Sequence, residues 1–404
     1  METGNDLSQD SISPSTLWAK YLIAILLWSV SIAGWSQSKE ADTLTKYFTP
    51  IPLQNPDSAW NVLKPSLKDK KLFLFGEAHG VACNKPLQLS LLKFLHKNAG
   101  VRCLLLEVSP SEGFLYDWYL KGGDDRYLSN NGYAVNKEEQ ELWQSLFKFN
   151  QKLPKKDKIR VFGVDYYNEN AFLQAMVTLF WDRDTTKVLP KELLRVDNML
   201  EKTVKQSSGH QKLYKTILKV FKKYRKVFED NLENDFWYFC YIIENQLFKR
   251  KDKKRDRKMF QNMAKIFLNF NSETFLGIFG QNHTLRDNKV RNISYFQDKD
   301  HQTNQFKKTS ALIINTHYLN SYFWLNKEPF FSESIGVLND YDNKYVSYLD
   351  KYSKQNITLI KFSKALITNK LLRNSSDFLL LFKKQQAESK RLTGKPSSSN
   401  VNKD

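Results

Sequence analysis

The sequence predicts an α/β fold: a central, mostly parallel sheet flanked by helices, with a long helical insertion between the third and fourth strands. Two observations carry this. Short runs apolar on both faces alternate with stretches of helical period, as expected of parallel strands buried under helices. The third and fourth of these runs are separated by residues 169–269, where the apolar pattern is helical.

The first strand is LFLF (72–75), closing on Gly76, Glu77 and His79. A helix follows over Lys85–Asn98, with Leu87, Leu91, Leu92 and Leu95 at helical spacing and Gly100 as its stop. VRCLLLEVSP is the second strand, ending in Glu107, and Glu138–Leu153 is the next helix, with Leu142, Leu146 and Phe149 on one face. IRVFGVDYY is the third strand, ending in Asp165. In the insertion, Tyr214, Ile217, Leu218, Phe221, Tyr224 and Phe228 form one stripe. TFLGIFGQNHT is the fourth strand, ending in His283, and later strands are expected at Ser310–Tyr318, Ile357–Phe362 and Asp377–Lys383. The α/β domain is assigned to residues 71–385. An irregular, proline-containing lead-in (37–70) precedes it, and a disordered Lys/Ser/Asn-rich tail (386–404) follows.

The N-terminal residues 1–36 contain the most apolar run of the chain, Tyr21–Trp35, preceded by Lys20. That length is short for a membrane span and suits the core of a signal peptide, with a small-x-small site at Gly34–Ser36. A cleaved signal and a retained anchor both remain open. Either places the rest of the chain in the periplasm or outside the cell, with membrane contact only through this segment.

The 404 residues carry a net charge of +19. Between Glu201 and Phe260 stand 17 Lys/Arg against 8 Asp/Glu, so nearly half the excess belongs to one helical stretch. No RNA-recognition, zinc-finger or helix-turn-helix pattern accompanies it. A solvated helix face, including Lys249–Lys258, is the expectation, and no nucleic-acid partner. The cysteines, Cys83, Cys103 and Cys240, are three and form no Cys-x-x-Cys pair, so neither a disulfide framework nor a zinc cluster is indicated.

Functional residues gather at the strand ends. Glu77 and His79, Glu107, Asp165 and His283 follow four successive strands. In an open α/β sheet such positions converge in the crevice at the carboxyl ends. The flanking Gly76 and Gly80 are expected to let the backbone turn sharply there. An imidazole can take a proton from water, a carboxylate beside it fixes its tautomer, and a second histidine can face a developing oxyanion. No Gly-x-Ser-x-Gly elbow exists, so water is the attacking species. His96, His210, His301 and His317 are read as structural. The aromatics Trp237, Tyr238 and Tyr241 are either core or the wall of a pocket for a bulky apolar ligand.

These pieces resemble a known family. FGEAHG is similar to the Gly-Glu-x-His element of erythromycin esterase-like proteins, whose wider superfamily includes ChaN-type haem-uptake lipoproteins and Tiki-type proteases. LLLEVS with Glu107, FGVD with Asp165, FGQNHT with His283 and the closing strand SDFLLLF resemble the family's other elements in the same order. RDRKMFQN resembles its Arg-Asp-x-x-Met-x-x-Asn helix, on Arg255, Asp256, Met259 and Asn262. Positions 255, 259 and 262 share one helical face, so Arg255 can point into the site. Two departures stand out: Ala78 alone separates Glu77 from His79, and Gly280 and Gln281 replace the first histidine of His-Asn-x-His.

Three functions fit. The first is a metal-independent hydrolase of an ester or lactone, with a small-molecule substrate and no cofactor. His79 is its base, Glu77 and Glu107 orient that base, His283 stabilises the oxyanion, and Arg255 and Asp165 serve substrate binding. The second is a haem- or iron-binding uptake protein using the same cleft. The third is a metallohydrolase with Glu77, His79, Glu107 and His283 as ligands to a divalent ion.

Overall fold

The structure is a computed structural model. It describes residues 46–129, 136–181, 189–206, 208–246, 255–271, 273–284, 311–327, 332–338, 349–350, 353, 355–362 and 376–388. The apolar N-terminal run Tyr21–Trp35, His301 and most of Lys249–Lys258 lie outside these residues. Among the described residues no helix is long and apolar enough to cross a membrane.

An eight-stranded sheet organises the fold. Its strands are β1 (Phe48–Pro50), β2 (Leu72–Glu77), β3 (Val101–Leu106), β4 (Arg160–Gly163), β5 (Thr274–Gly280), β6 (Ala311–Leu319), β9 (Ile357–Lys361) and β10 (Phe378–Lys383). They lie in the order β1-β9-β10-β6-β2-β5-β3-β4. The pairs from β10 to β4 are parallel, and β9 runs antiparallel to β10. β7 (Ser321–Lys327) and β8 (Ser332–Leu338) form a separate antiparallel hairpin. Every residue of β2 is buried, as its central place between β5 and β6 requires.

The helices are α1 (Asn84–Ala99), α2 (Pro110–Gly122), α3 (Arg126–Ser129), α4 (Lys137–Gln151), α5 (Glu169–Phe180), α6 (Leu194–Gln206), α7 (His210–Lys223), α8 (Arg225–Leu232), α9 (Phe236–Glu244) and α10 (Arg255–Asn269). The leucine stripe of α1 is its buried face, and Gly100, in the left-handed region, ends it. Helices α5 to α10 occupy the stretch between β4 and β5. The lead-in is more ordered than its prolines suggested. Ala59–Ser66 is a 3-10 helix whose Trp60 and Leu63 are fully buried, because two large apolar side chains outweigh the lost hydrogen bond at Pro65.

Two glycines bring strand ends and helix starts together. Ser109 caps α2 in a reciprocal box with Glu112, and Pro110 takes the first turn. A side chain on Gly163 would overlap the Ser109 carbonyl, and one on Gly113 would overlap the Gly163 backbone. The end of β4 and the start of α2 therefore meet backbone to backbone. Val164 N–H donates to Leu106 O (3.1 Å) and Asp165 N–H to Val108 O (2.8 Å), so the segments after β3 and β4 leave the sheet side by side.

Tyr238 and Tyr241 are core residues. Their hydroxyls donate to Val161 O (2.6 Å) and Gly163 O (2.7 Å), and Trp237 stacks on Tyr241. The aromatics of α9 thus buttress β4. Arg257 and Lys258 are exposed on α10, as a solvated face requires.

Candidate active site

Glu77, His79, Glu107, Asp165, Arg255 and His283 come together at the carboxyl end of the sheet. Glu77 ends β2 and is 4% exposed. A carboxylate buried that deeply needs partners. Gln88 of α1 donates to its Oε2, and His79 Nδ1 lies 2.9 Å from its Oε1. Burial pushes its pKa upward, but Lys85 and His79 overcome this and hold the carboxyl below its ordinary value.

The loop carrying His79 is clamped. Ala78 N–H donates to the Tyr318 hydroxyl (3.2 Å), Asn84 donates to Ala78 O (2.7 Å), and Tyr318 donates to Asn84 Oδ1 (2.9 Å). Gly80 has φ 82°, the left-handed turn expected of it. Gly76 does something else: it stays inside β2, where a side chain would collide with Asn315 and Thr284. Its role is close approach rather than turning. The outer side of the loop is strapped by residues 386–388. Ala82 N–H donates to Gln386 O (3.0 Å), Glu388 N–H to Gly80 O (2.8 Å), and Asn136 to Glu388 Oε2 (2.6 Å). These residues were expected in a loose tail; backbone pairing holds them instead, and Lys85 lies 3.7 Å from Glu388.

Glu107 is the hub. Its Oε1 accepts from Arg255 Nη2 (2.7 Å) and lies 3.3 Å from His283 Nε2. Its Oε2 accepts from Gly280 N–H (2.7 Å) and faces His79 Nε2 at 3.6 Å. Arg255 Nε also donates to Asp165 Oδ1 (2.9 Å), so the guanidinium bridges two carboxylates. His283, in a 3-10 turn after β5, pairs through Nδ1 with Asp256 Oδ1 at 2.7 Å. Asn262 anchors α10 by donating to Val164 O (2.9 Å), which fixes where Arg255 and Asp256 project.

The electrostatics follow. Burial alone raises the Glu107 pKa, yet His283 and His79 hold it well below the usual range. The His79 side chain is exposed at the cavity, yet the loss of water on its inner side is outweighed by Glu107 and Glu77, which raise the ring to about 10. For His283, burial is likewise outweighed, by Asp256 and Glu107, and the ring rises to about 9. Both rings are imidazolium at neutral pH. Burial pushes all three thiols up, so none supplies a ready thiolate.

A cavity of about 150 Å³ opens beside this cluster, with Glu77, His79, Lys85, Gln88, Glu107 and Glu139 as its polar lining. Among the described residues, no group of three or more His, Cys, Asp or Glu is arranged to hold a metal ion. Between Glu107 and Asp165 the bridging charge is Arg255 itself.

Of the histidines read as structural, His96 bonds the Asp157 carbonyl (2.9 Å) and stands edge-on to Phe149. His210 faces Glu169 at 3.8 Å, and His317 lies within β6. Sequence reasoning missed Lys85, Gln88, Asn84, Tyr318 and Glu388. Asp256 carried a signal, since it is the second residue of the matched Arg-Asp helix motif.

No protein-family model matches the chain, and no curated protein does. Solved structures do. A Bacillus cereus protein from a structural-genomics programme superposes with a TM-score of 0.60 at 16% identity, covering 87% of this chain and 98% of that one. A structure described as a succinoglycan biosynthesis protein gives 0.58 at 12% identity, over 87% and 98%. An erythromycin esterase variant in its open conformation gives 0.53 at 12% identity, over 85% and 98%. The class that emerges is an α/β protein with an acid–histidine–arginine site at the strand ends. Its fold is the one shared with erythromycin esterase.

Proposed function

We propose that the protein is a hydrolase of an ester or lactone, with His79 activating water. One observation carries this: Glu77 engages His79 Nδ1, while Nε2 stands 3.6 Å from Glu107, past hydrogen-bonding distance, on a side chain that is 61% exposed at the cavity. In the neutral ring, Nδ1–H donates to Glu77 and Nε2 carries the lone pair. Nε2 then takes a proton from water as the oxygen attacks the carbonyl carbon. The tetrahedral intermediate collapses, and the same proton passes to the departing alkoxide. Arg255 and His283 supply positive charge for the oxyanion, and Asp165 holds Arg255. Because the ring is raised to about 10, the base form is a minority at neutral pH and grows as pH rises. The shared fold with a protein named for ester hydrolysis supports the reading.

The test is a panel of small esters and lactones assayed from pH 6 to pH 10, with and without chelator. The expected result is hydrolysis that rises with pH and falls by about 10²–10⁴-fold in His79→Ala. Unchanged turnover in that variant removes His79 as base; loss on chelation favours a metal-dependent site. Export belongs to the same proposal: the mature protein should begin near Gln37 in intact-mass measurement if Tyr21–Ser36 is a cleaved signal, and intact Met1 in a cytosolic protein speaks against it.

A further inference from the structure

Leu106 of β3 and Ile278 of β5 are register partners on adjacent inner strands, yet both are only half-buried. Neighbours at the heart of a parallel sheet are ordinarily covered by a helix. Here residues of α1 and α4 line a space over them, the cavity beside His79. Beyond the polar residues its wall is apolar: Leu89, Leu104, Leu142 and Trp143 join Leu106 and Ile278. Trp143 is held by stacking on Tyr116 at 4.3 Å, so that wall is fixed.

The cavity's charges disfavour an anion. Glu77, Glu107 and Glu139 line it, and its cations are already engaged: Lys85 by Glu77 and Glu388, His79 by Glu77 and Glu107. Its volume of about 150 Å³ is the size that holds a benzene ring, with the apolar wall to receive it.

We infer that this cavity is a recognition pocket for a neutral apolar group of about six carbons, a short alkyl chain or single ring, attached to the ester that His79 attacks. The inference rests on the hydrolase reading and narrows it. Bulky or polar groups must stay in the open part of the site. The pocket selects substrates by the small group next to the scissile bond.

Two ester series test this, p-nitrophenyl acetate to hexanoate and ethyl to hexyl acetate. kcat/KM should rise along one series by up to about fourfold per methylene and level off near six carbons. Leu142→Trp, at a half-buried helix position, should abolish that rise, so that the longest ester gains nothing over the shortest; Ile278→Phe is the second variant if the first misfolds. Flat series in the wild type, or a rise that survives the plug, overturns the pocket with the hydrolase intact. If wild type hydrolyses no ester, the hydrolase reading fails separately, and benzyl alcohol binding measured by calorimetry decides the pocket. Saturable binding lost in Leu142→Trp supports it, and no binding overturns it.

Discussion

Gly280 donates its backbone N–H to Glu107 Oε2 across the gap between β5 and β3, at 2.7 Å. A Cβ at Gly280 would stand 3.2 Å from His79 Nε2 and 3.4 Å from Glu107 Oε2. The absence of that one carbon lets histidine and carboxylate face each other. Gly280→Ala should keep the fold, because the exposed His79 ring can give way. It should shift the titration of His79 downward toward the ordinary value near 6.5 by moving the ring away from Glu107. Histidine NMR titration reads this directly; an unmoved midpoint contradicts it.

Both site histidines are raised, His79 to about 10 and His283 to about 9. A raised pKa means that folding favours the charged ring. The stabilisation is complete below the unfolded value near 6.5 and is lost as pH climbs through 9 and then 10. The denaturant midpoint should therefore fall between pH 7 and pH 10. Glu107→Gln should flatten that slope, since it removes the charge both rings share.

Arg255 bridges Glu107 and Asp165. Arg255→Met leaves buried Asp165 without its cation and Glu107 with only the two histidines, and should cost about 3 kcal/mol in chemical denaturation. Adding Asp165→Asn should recover part of the loss by removing one stranded charge. If the double variant is no more stable than the single one, the guanidinium was not the balancing charge.

Gly163 and Gly122 lie at opposite extremes of crowding. A side chain on Gly163 overlaps Ser109, whereas Gly122 has open space within 4 Å. Gly163→Ala should destabilise severely, because backbone has to move against backbone. Gly122→Ala, at the last turn of α2, should be neutral or stabilising by up to about 1 kcal/mol. Thermal melts of the two variants decide this.

The strands and the residues at their ends were legible because buried parallel strands write apolar runs that stop where the crevice begins. Glu77, Glu107 and His283 each follow such a run. Asp256 was legible as part of the Arg-Asp helix motif, but its basic surroundings gave no sign that it pairs with His283. Glu388 was hidden for a similar reason: its surroundings are polar, and what orders it is backbone pairing with Gly80 and Ala82, which leaves no trace in side-chain pattern. Gly76 was misread because close approach and sharp turning both call for glycine, and only coordinates separate them. The 150 Å³ cavity is a gap between leucines that any periodicity analysis assigns to core.

The order of the sheet also sets a timetable for synthesis. β2 leaves the ribosome before the other long strands, but both of its partners, β5 and β6, follow the entire helical block. β3 and β4, adjacent in the finished sheet, can pair long before either reaches β5. The nascent chain therefore carries the sticky LFLF ribbon without its sheet partners while the whole helical block is made, and the crevice at its tip is assembled only in the closing stage.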